Sequence, residues 1–319
     1  MPARSIPVAN GLRMLFDKAL AEGGQLVDGY VHLPSSVGNG FIKLVSIEPG
    51  LLLTIHRYYL QEETVVERLA EQNQAERLLV SFQSFDPALS AAGHLSTAQL
   101  ASTSIAFRTV LPAHTLIFFV GLVVEKAVLA YWLGNPQAGP LGLFTDQQPR
   151  LVEALLTPEI QAALQDIATL RPANELNVLF YRIKVQELLY WLFQELAQRS
   201  IDGSRALHST DVARIFQVRA ALLSSLDNPP SLAQLAQSAG MGQTKLKQLF
   251  HQVFGSSPYA YYQVARLQQA KRLLAQWSVS EVGHQLGYTN LGHFAQLFKR
   301  QYGLTPKRYK AALVIRDTH

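Results

Sequence analysis

The sequence predicts an α+β chain in three parts. These are a strand-rich N-terminal domain closed as a small β-barrel or sandwich (residues 1–134), a helical linker and dimerisation segment (135–204), and an all-α C-terminal domain with two helix-turn-helix units (205–319). Three observations predict it. From Gln25 to about Val124 the chain is a series of short apolar, β-branched runs spaced by turn residues; from Glu125 the period becomes helical. One pattern then occurs twice, as SLAQLAQSAGMGQTKLKQLFHQVFG and SVSEVGHQLGYTNLGHFAQLFKRQYG, with turn glycines Gly240 and Gly287 47 residues apart (287 − 240). Finally, charge is segregated: from Pro229 onward there are 11 Lys and Arg against 2 Asp and Glu, whereas residues 1–228 hold 17 against 21.

The bulk properties bound the reading. With 319 residues, 48% apolar and 16% charged, the chain can pack a core in two domains and is not disordered. It has no cysteine, which excludes disulfides, thiolate metal sites and a cysteine nucleophile. The N-terminus has no long apolar core, so no signal peptide is expected. The longest apolar run, Leu116 to Val124, stops at Glu125 and falls far short of the ~20 residues of a membrane helix. A soluble, cytoplasmic protein without a membrane partner is expected.

In chain order, a helix is expected around Gly11 to Ala21, before Gly23 and Gly24. GFIKLVSIEPGLLLTIHRYYL reads as a hairpin turning at Pro49 and Gly50. Arg77 to Asp86 and the run from Ser102 to Val124, turning at Pro112, continue the strands. KAVLAYWLGN is a short helix closing on Gly134, and a Gly- and Pro-rich loop follows. RLVEALLTPEIQAALQDIATL and NELNVLFYRIKVQELLYWLFQELAQRS predict two helices split at Pro172. In the second, Leu176, Leu179, Ile183, Leu188, Leu192 and Leu196 form a broad stripe. Part of it would pack on the strands and part on a second copy of the chain; a purely internal core helix is the alternative. DVARIFQVRAALLSSLDN is a further helix ending before Pro229 and Pro230.

Ser231 is positioned to cap the first helix of copy one, with Leu232, Leu235 and Ala236 facing inward. The turn at Ala239 and Gly240 needs small residues because the two helices cross closely there. The second helix buries Leu246, Leu249, Phe250 and Val253. Its outer face carries Gln243, Thr244, Lys247 and Gln248 as base-reading groups, with Lys245 and His251 suited to phosphate. Copy two opens on the capping box Ser278-x-x-Glu281, and Thr289 or Asn290 caps its second helix. That helix offers Leu291, Gly292, His293, Ala295 and Gln296 to bases, and Lys299, Arg300, Lys307 and Arg308 to phosphates. Copy one is expected to carry more sequence readout and copy two more general affinity. The partner implied by paired basic helices is double-stranded DNA.

From about Arg205 to Tyr309 the chain resembles the AraC/XylS family of bacterial transcription regulators. The most specific positions include Gly240, Leu246, Phe250, Gly255, Pro258, Arg266, Gly287, Tyr288, Phe294, Phe298, Gly303 and Pro306. ARIFQVRAALLSSLDNPPSLAQLA and FYRIKVQELLYWLFQELA are more narrowly similar to the pyochelin-regulator subgroup. The resemblance implies action with RNA polymerase, sensing of an iron-loaded siderophore and control of iron-uptake genes; beside it a cupin-like N-terminal barrel and a homodimer are expected, and an activator role stands with repression left open. Carried over by position, base contacts fall on Thr244, Lys247 and Gln248, and on Leu291, Gly292, His293, Ala295 and Gln296. Where Gln296 stands many relatives have arginine, and Gly292 replaces a serine or other polar residue.

A small-molecule effector would meet Arg57 and Tyr59, which alternate to one side of the strand LLLTIHRYYL, and Arg108 on a later strand. No cofactor is intrinsic, and no His, Asp and Glu cluster has metal-ligand spacing. His32, His56, His94 and His114 are too irregularly spaced for an enzymatic metal site; no phosphate loop, nucleophile elbow or paired carboxylates occur. A regulator responding to another organic effector, or an N-terminal domain that only dimerises, are the alternatives.

Overall fold

The computed structural model describes residues 10–316 apart from 69, 71–76, 86–94, 136–141, 143, 145–148, 171–172 and 200–206. These fall into two compact units, the first running to Ala213 and the second built mainly from Arg214 onward.

The first unit opens with α1 (Asn10–Ala21) and carries ten strands: β1 (Leu26–Val27), β2 (Tyr30–His32), β3 (Gly38–Glu48), β4 (Leu51–Leu60), β5 (Thr64–Arg68), β6 (Arg77–Phe85), β7 (Thr97–Ser102), β8 (Phe107–Leu111), β9 (Ile117–Glu125) and β10 (Leu151–Leu155). Helices α2 (Lys126–Leu133), α3 (Pro158–Thr169) and α4 (Asn177–Ala197) complete it. The hairpin at Pro49 and Gly50 joins β3 to β4, with Gly50 at φ +81°. Gly134 closes α2 in the left-handed region, φ 67°, where its N–H reaches the Tyr131 carbonyl.

Eight strands form one antiparallel sheet in the order β1-β2-β3-β4-β9-β6-β7-β10, and β5 pairs with β8 separately. The sheet is open, with β1 and β10 at its edges, which corrects the expectation of a closed, cupin-like barrel. Closure is unnecessary for burial, because both faces are covered by other elements. Leu53, Ile55, Val80, Leu100, Val120 and Val152 pack one face against Ile160 and Leu164 of α3 and Val185, Leu188 and Leu192 of α4. Toward the far end of β4, Tyr58 and Leu60 point the other way, into a cluster with Leu15, Phe16 and Ala19 of α1 and Leu111 of β8.

A second correction concerns Leu151–Leu155. It is a strand paired with β7, not the start of a helix. Alternation is invisible there because both faces are buried: Val152 and Ala154 enter the core, while Glu153, 0% exposed, accepts a 2.8 Å hydrogen bond from Gln99 Nε2. The helix restarts at Thr157, whose hydroxyl accepts from the Ile160 N–H ahead of Pro158 in the first turn.

The stripe along α4 divides in two. Leu188, Leu192 and Leu196 are buried, whereas Leu179 and Ile183, with Leu176 just before the helix and Tyr190 further along, are more than half exposed.

The second unit is all helical: α5 (Ser209–Leu223, which begins in the first unit), α6 (Leu232–Ser238), α7 (Gln243–Phe254), α8 (Pro258–Leu273), α9 (Val279–Gln285), α10 (Leu291–Tyr302) and α11 (Pro306–Arg316).

Candidate nucleic-acid interface

Each helix-turn-helix unit is built by the same local chemistry. Ser231 and Gln234 form a capping box, the Ser231 hydroxyl accepting from the Gln234 N–H (3.3 Å) while Gln234 Oε1 accepts from the Ser231 N–H (2.8 Å). Ser278 and Glu281 repeat it with a carboxylate, at 3.3 and 2.8 Å. Hydrogen bonding with the Ser278 hydroxyl, then with its backbone, holds the Glu281 carboxyl below the usual glutamate range. After α6 the chain turns with a Met241 N–H to Ala236 carbonyl bond of 3.1 Å; after α9 the Tyr288 N–H reaches the Gly283 carbonyl at 2.9 Å. Both turns are six-residue Schellman closures, with Gly240 at φ +61° and Gly287 at φ +73°.

The two turn glycines serve different needs. A Cβ on Gly240 would meet nothing within 4 Å, so its dihedral alone requires glycine, not the helix crossing expected from sequence. A Cβ on Gly287 would lie 2.5 Å from the Asp227 carbonyl oxygen, so this position is constrained twice.

The second helices then project from these turns. In α7, Leu246, Leu249, Phe250, Val253 and Phe254 are buried. Gln243, Thr244, Lys245, Lys247, Gln248 and His251 are all exposed on the other side. In α10, Phe294 and Phe298 are buried, and Gly292, His293, Gln296, Lys299 and Arg300 are exposed. Asn290 is the cap, accepting from the His293 N–H at 2.9 Å. Leu291 is half-buried, its side chain lying where a Cβ on Gly283 would stand. Lys307 and Arg308 are exposed on α11. Gly255 and Gly303 end α7 and α10 in left-handed conformation.

Helix α8 packs on α7, α9 and α10. Its N-terminus is capped by Ser257 ahead of Pro258. Tyr261 lies against Phe250 and Phe254 of the first helix-turn-helix, with ring centroids 5.6 and 5.2 Å away. Further along, buried Arg266 donates from Nε to the Leu286 carbonyl at 3.0 Å and from Nη2 to the same oxygen. Its guanidinium stacks 3.7 Å from the centroid of Tyr288, and Tyr262 donates to the Leu226 carbonyl at 2.8 Å. Sequence reasoning found Arg266 only through a resemblance; its place between Ala265 and Leu267, on the helix face that continues to Tyr262 and Ala270, is the signal that marks it as buried. Each reading helix is therefore held from behind by one connecting helix while its polar face stays open.

The three residues proposed for an effector are not brought together. Arg57 lines a cleft on one face of the sheet, and Tyr59 lies two residues on along the same side of β4. Arg108 is on β8 of the separate two-stranded sheet, exposed and facing Glu67 at 3.7 Å. The cleft is instead completed by Lys43 and Tyr181, which sequence reasoning missed. The hairpin register was the available signal, since it sets Lys43 opposite Ile55 and Phe41 opposite Arg57. His56 is buried on the opposite face. The Thr54 hydroxyl donates to the Gly121 carbonyl (3.3 Å), so it accepts from His56 Nε2 (3.1 Å), and burial pushes the imidazole down to about 3. His94 lies outside the described residues. Among the described residues no three His, Cys, Asp or Glu side chains are grouped to hold a metal ion, and no helix is long and apolar enough to cross a membrane.

Residues 235–312 match the family model described as "Helix-turn-helix domain". The chain is 29% identical over 128 residues to an uncharacterized HTH-type transcriptional regulator of Haemophilus influenzae, covering 40% of this chain and 43% of that one. It is 34% identical over 128 residues to the regulatory protein PchR of Pseudomonas aeruginosa, with the same coverage. Both matches thus span less than half of the relative's length. Among solved structures, the DNA-binding domain of AdpA, a global transcriptional factor in complex with a target DNA, is similar at 30% identity and a TM-score of 0.31, over 32% of this chain and 95% of that one.

Proposed function

We propose, from a chain whose residues 235–312 are a helix-turn-helix domain, that this protein is a ligand-responsive transcription regulator of AraC type that binds specific double-stranded DNA. The observation that carries the reading is that the polar, basic faces of α7 and α10 are both open while their apolar faces are buried against shared support. Thr244, Lys247 and Gln248 read bases, with Gln243 beside them; Lys245 and His251 hold phosphates. Gly292, His293 and Gln296 give the second helix a thinner reading surface, Leu291 adds an apolar contact, and Lys299, Arg300, Lys307 and Arg308 bind the backbone.

The first unit is read as the sensor and the dimerisation device. The exposed row Leu176, Leu179, Ile183 and Tyr190 is available to a second copy, with the opposite face of α4 committed to the core. The effector is a small organic molecule; the resemblance noted above favours an iron-loaded siderophore, control of iron-uptake genes and action with RNA polymerase. The assignment is to a cytoplasmic regulator, not an enzyme.

The test is selection of duplexes from a random pool by the purified full chain, followed by titration of the selected site against salt. A recurrent site with two parts about one helical turn apart supports the reading, and a pool without enrichment overturns it. On that site Arg300→Ala is expected to weaken all sequences alike and to flatten the slope of log K against log salt by about 1.

A further inference from the structure

The cleft beside Arg57 is assembled by register. β2, β3, β4 and β9 are neighbours, and His32, Phe41, Arg57 and Phe118 lie opposite one another in a row across them. Tyr30, Lys43 and Ile55 form the next row on the same face. Tyr181 of α4, with Ile167 and Ala168 of α3, flanks these rows, and the half-open cleft between them holds about 270 Å³.

Two cations face this space, and no acidic side chain lines it among the described residues. Lys43 Nζ donates to the Tyr181 hydroxyl at 3.1 Å and lies 4.7 and 4.8 Å from the ring centroids of Tyr30 and Tyr181. Burial works against its charge, but hydrogen bonds with Tyr30 and Tyr181 prevail and hold its pKa above the ordinary lysine value. Neither Lys43 nor Arg57 is paired with a carboxylate among the described residues, whereas Arg182, Lys184 and Arg199 nearby in sequence on α4 and just beyond it all are. The walls are rings: Tyr30 meets Phe41 edge to face at 5.2 Å, and Phe118 lies across from Arg57.

We infer that this cleft binds a small planar aromatic anion, one ring bearing one acidic group, with the acid between Lys43 and Arg57 and the ring against Phe118, one strand beyond Arg57. The volume sets the size class, since it falls just below the ~300–1,000 Å³ of sites for drug-sized ligands, too small to enclose a ferric chelate whole. The inference puts this effector class in place of the siderophore that the resemblance favours, and rests on the sensing role only for its regulatory consequence.

Isothermal titration of the full chain with benzoate tests it, against benzamide, acetate and tris(catecholato)iron(III). Benzoate is expected to bind, with benzamide and acetate weaker by about tenfold or more and the iron complex failing to compete. Lys43→Met should reduce benzoate affinity by about tenfold, and the exposed Arg57→Gln, which leaves the fold untouched, by several-fold. Absence of heat with benzoate at roughly 10 mM, equal binding of benzamide, or unchanged binding by Arg57→Gln overturns the inference. Benzoate binding without a change in affinity for the selected duplex keeps the cleft and removes its sensing role. Duplex binding by a chain indifferent to benzoate keeps the regulator and removes the cleft.

Discussion

The two helix-turn-helix units share one grammar and differ in chemistry. Aligned on their buried positions, Leu246 with Phe294 and Phe250 with Phe298, Thr244 falls on Gly292, Lys247 on Ala295 and His251 on Lys299. Of the four outward positions assigned to reading in α7, only Gln248 has the same residue in α10, Gln296. Packing is reproduced because each turn must close in the same way. The exposed faces are free of that demand and carry different side chains. Construction and specificity are thus separable in this fold.

The largest effect should come from the turns. Gly287→Ala pays for a left-handed alanine and forces the Asp227 backbone to move, so it should cost about 3 kcal/mol or more, against about 1–2 kcal/mol for Gly240→Ala, whose new methyl meets open space. Thermal or urea unfolding of both variants checks this; equal losses would break the distinction between the turns. Next, Arg266→Leu should cost about 2–3 kcal/mol, because the Leu286 carbonyl loses a charged donor and Tyr288 its stacked cation. Hydrogen exchange should show α9 and α10 loosening before α7, since the clamp holds Leu286 and Tyr288 of the second helix-turn-helix.

Much of this region is legible in the sequence. Ser231, Ser278, Gly255 and Gly303 are caps whose side chains, or lack of one, state their purpose locally. The Gln234 half of the first box was overlooked, since glutamine there signals less than glutamate. The first unit was harder to read. The edges of β1 and β10 are not written in any residue, so an open sheet and a closed barrel share one strand pattern. Leu151–Leu155 hid its period because Glu153 is buried along with its apolar neighbours. Of the proposed effector residues, Arg57 was found from alternation within one strand; Lys43 required the pairing of two strands, and Tyr181 a helix 138 residues away from Lys43.

A matched pair sharpens the contrast between the reading faces. Gln248→Ala should relax preference at one base position by about 1–3 kcal/mol, and Gln296→Ala by less, because Gly292 and Ala295 stand where α7 has Thr244 and Lys247 and leave fewer reading groups around it. Competition binding with single-base variants of the selected duplex measures both; a larger effect from Gln296 would reverse the assignment of roles.

The smallest difference concerns acid. The amide box at Ser231 does not titrate, whereas the Glu281 carboxyl is held below its ordinary value of 4.5 in the folded chain. A carboxyl depressed on folding contributes stability that is present above the unfolded value and lost as pH falls through the folded one. Exchange protection at the start of α9 should therefore fade below pH 4.5 while that at the start of α6 persists.

Leu291 rests where Gly283 has no side chain, so the first residue of the second reading helix is also a packing residue of the helix before it. Gln243, at the matching place in α7, is exposed. On the proposed reading, retargeting the first helix-turn-helix to a new operator would be a matter of single surface changes. Altering the opening residue of the second requires a coordinated change at position 283, which makes that half of the operator slower to evolve.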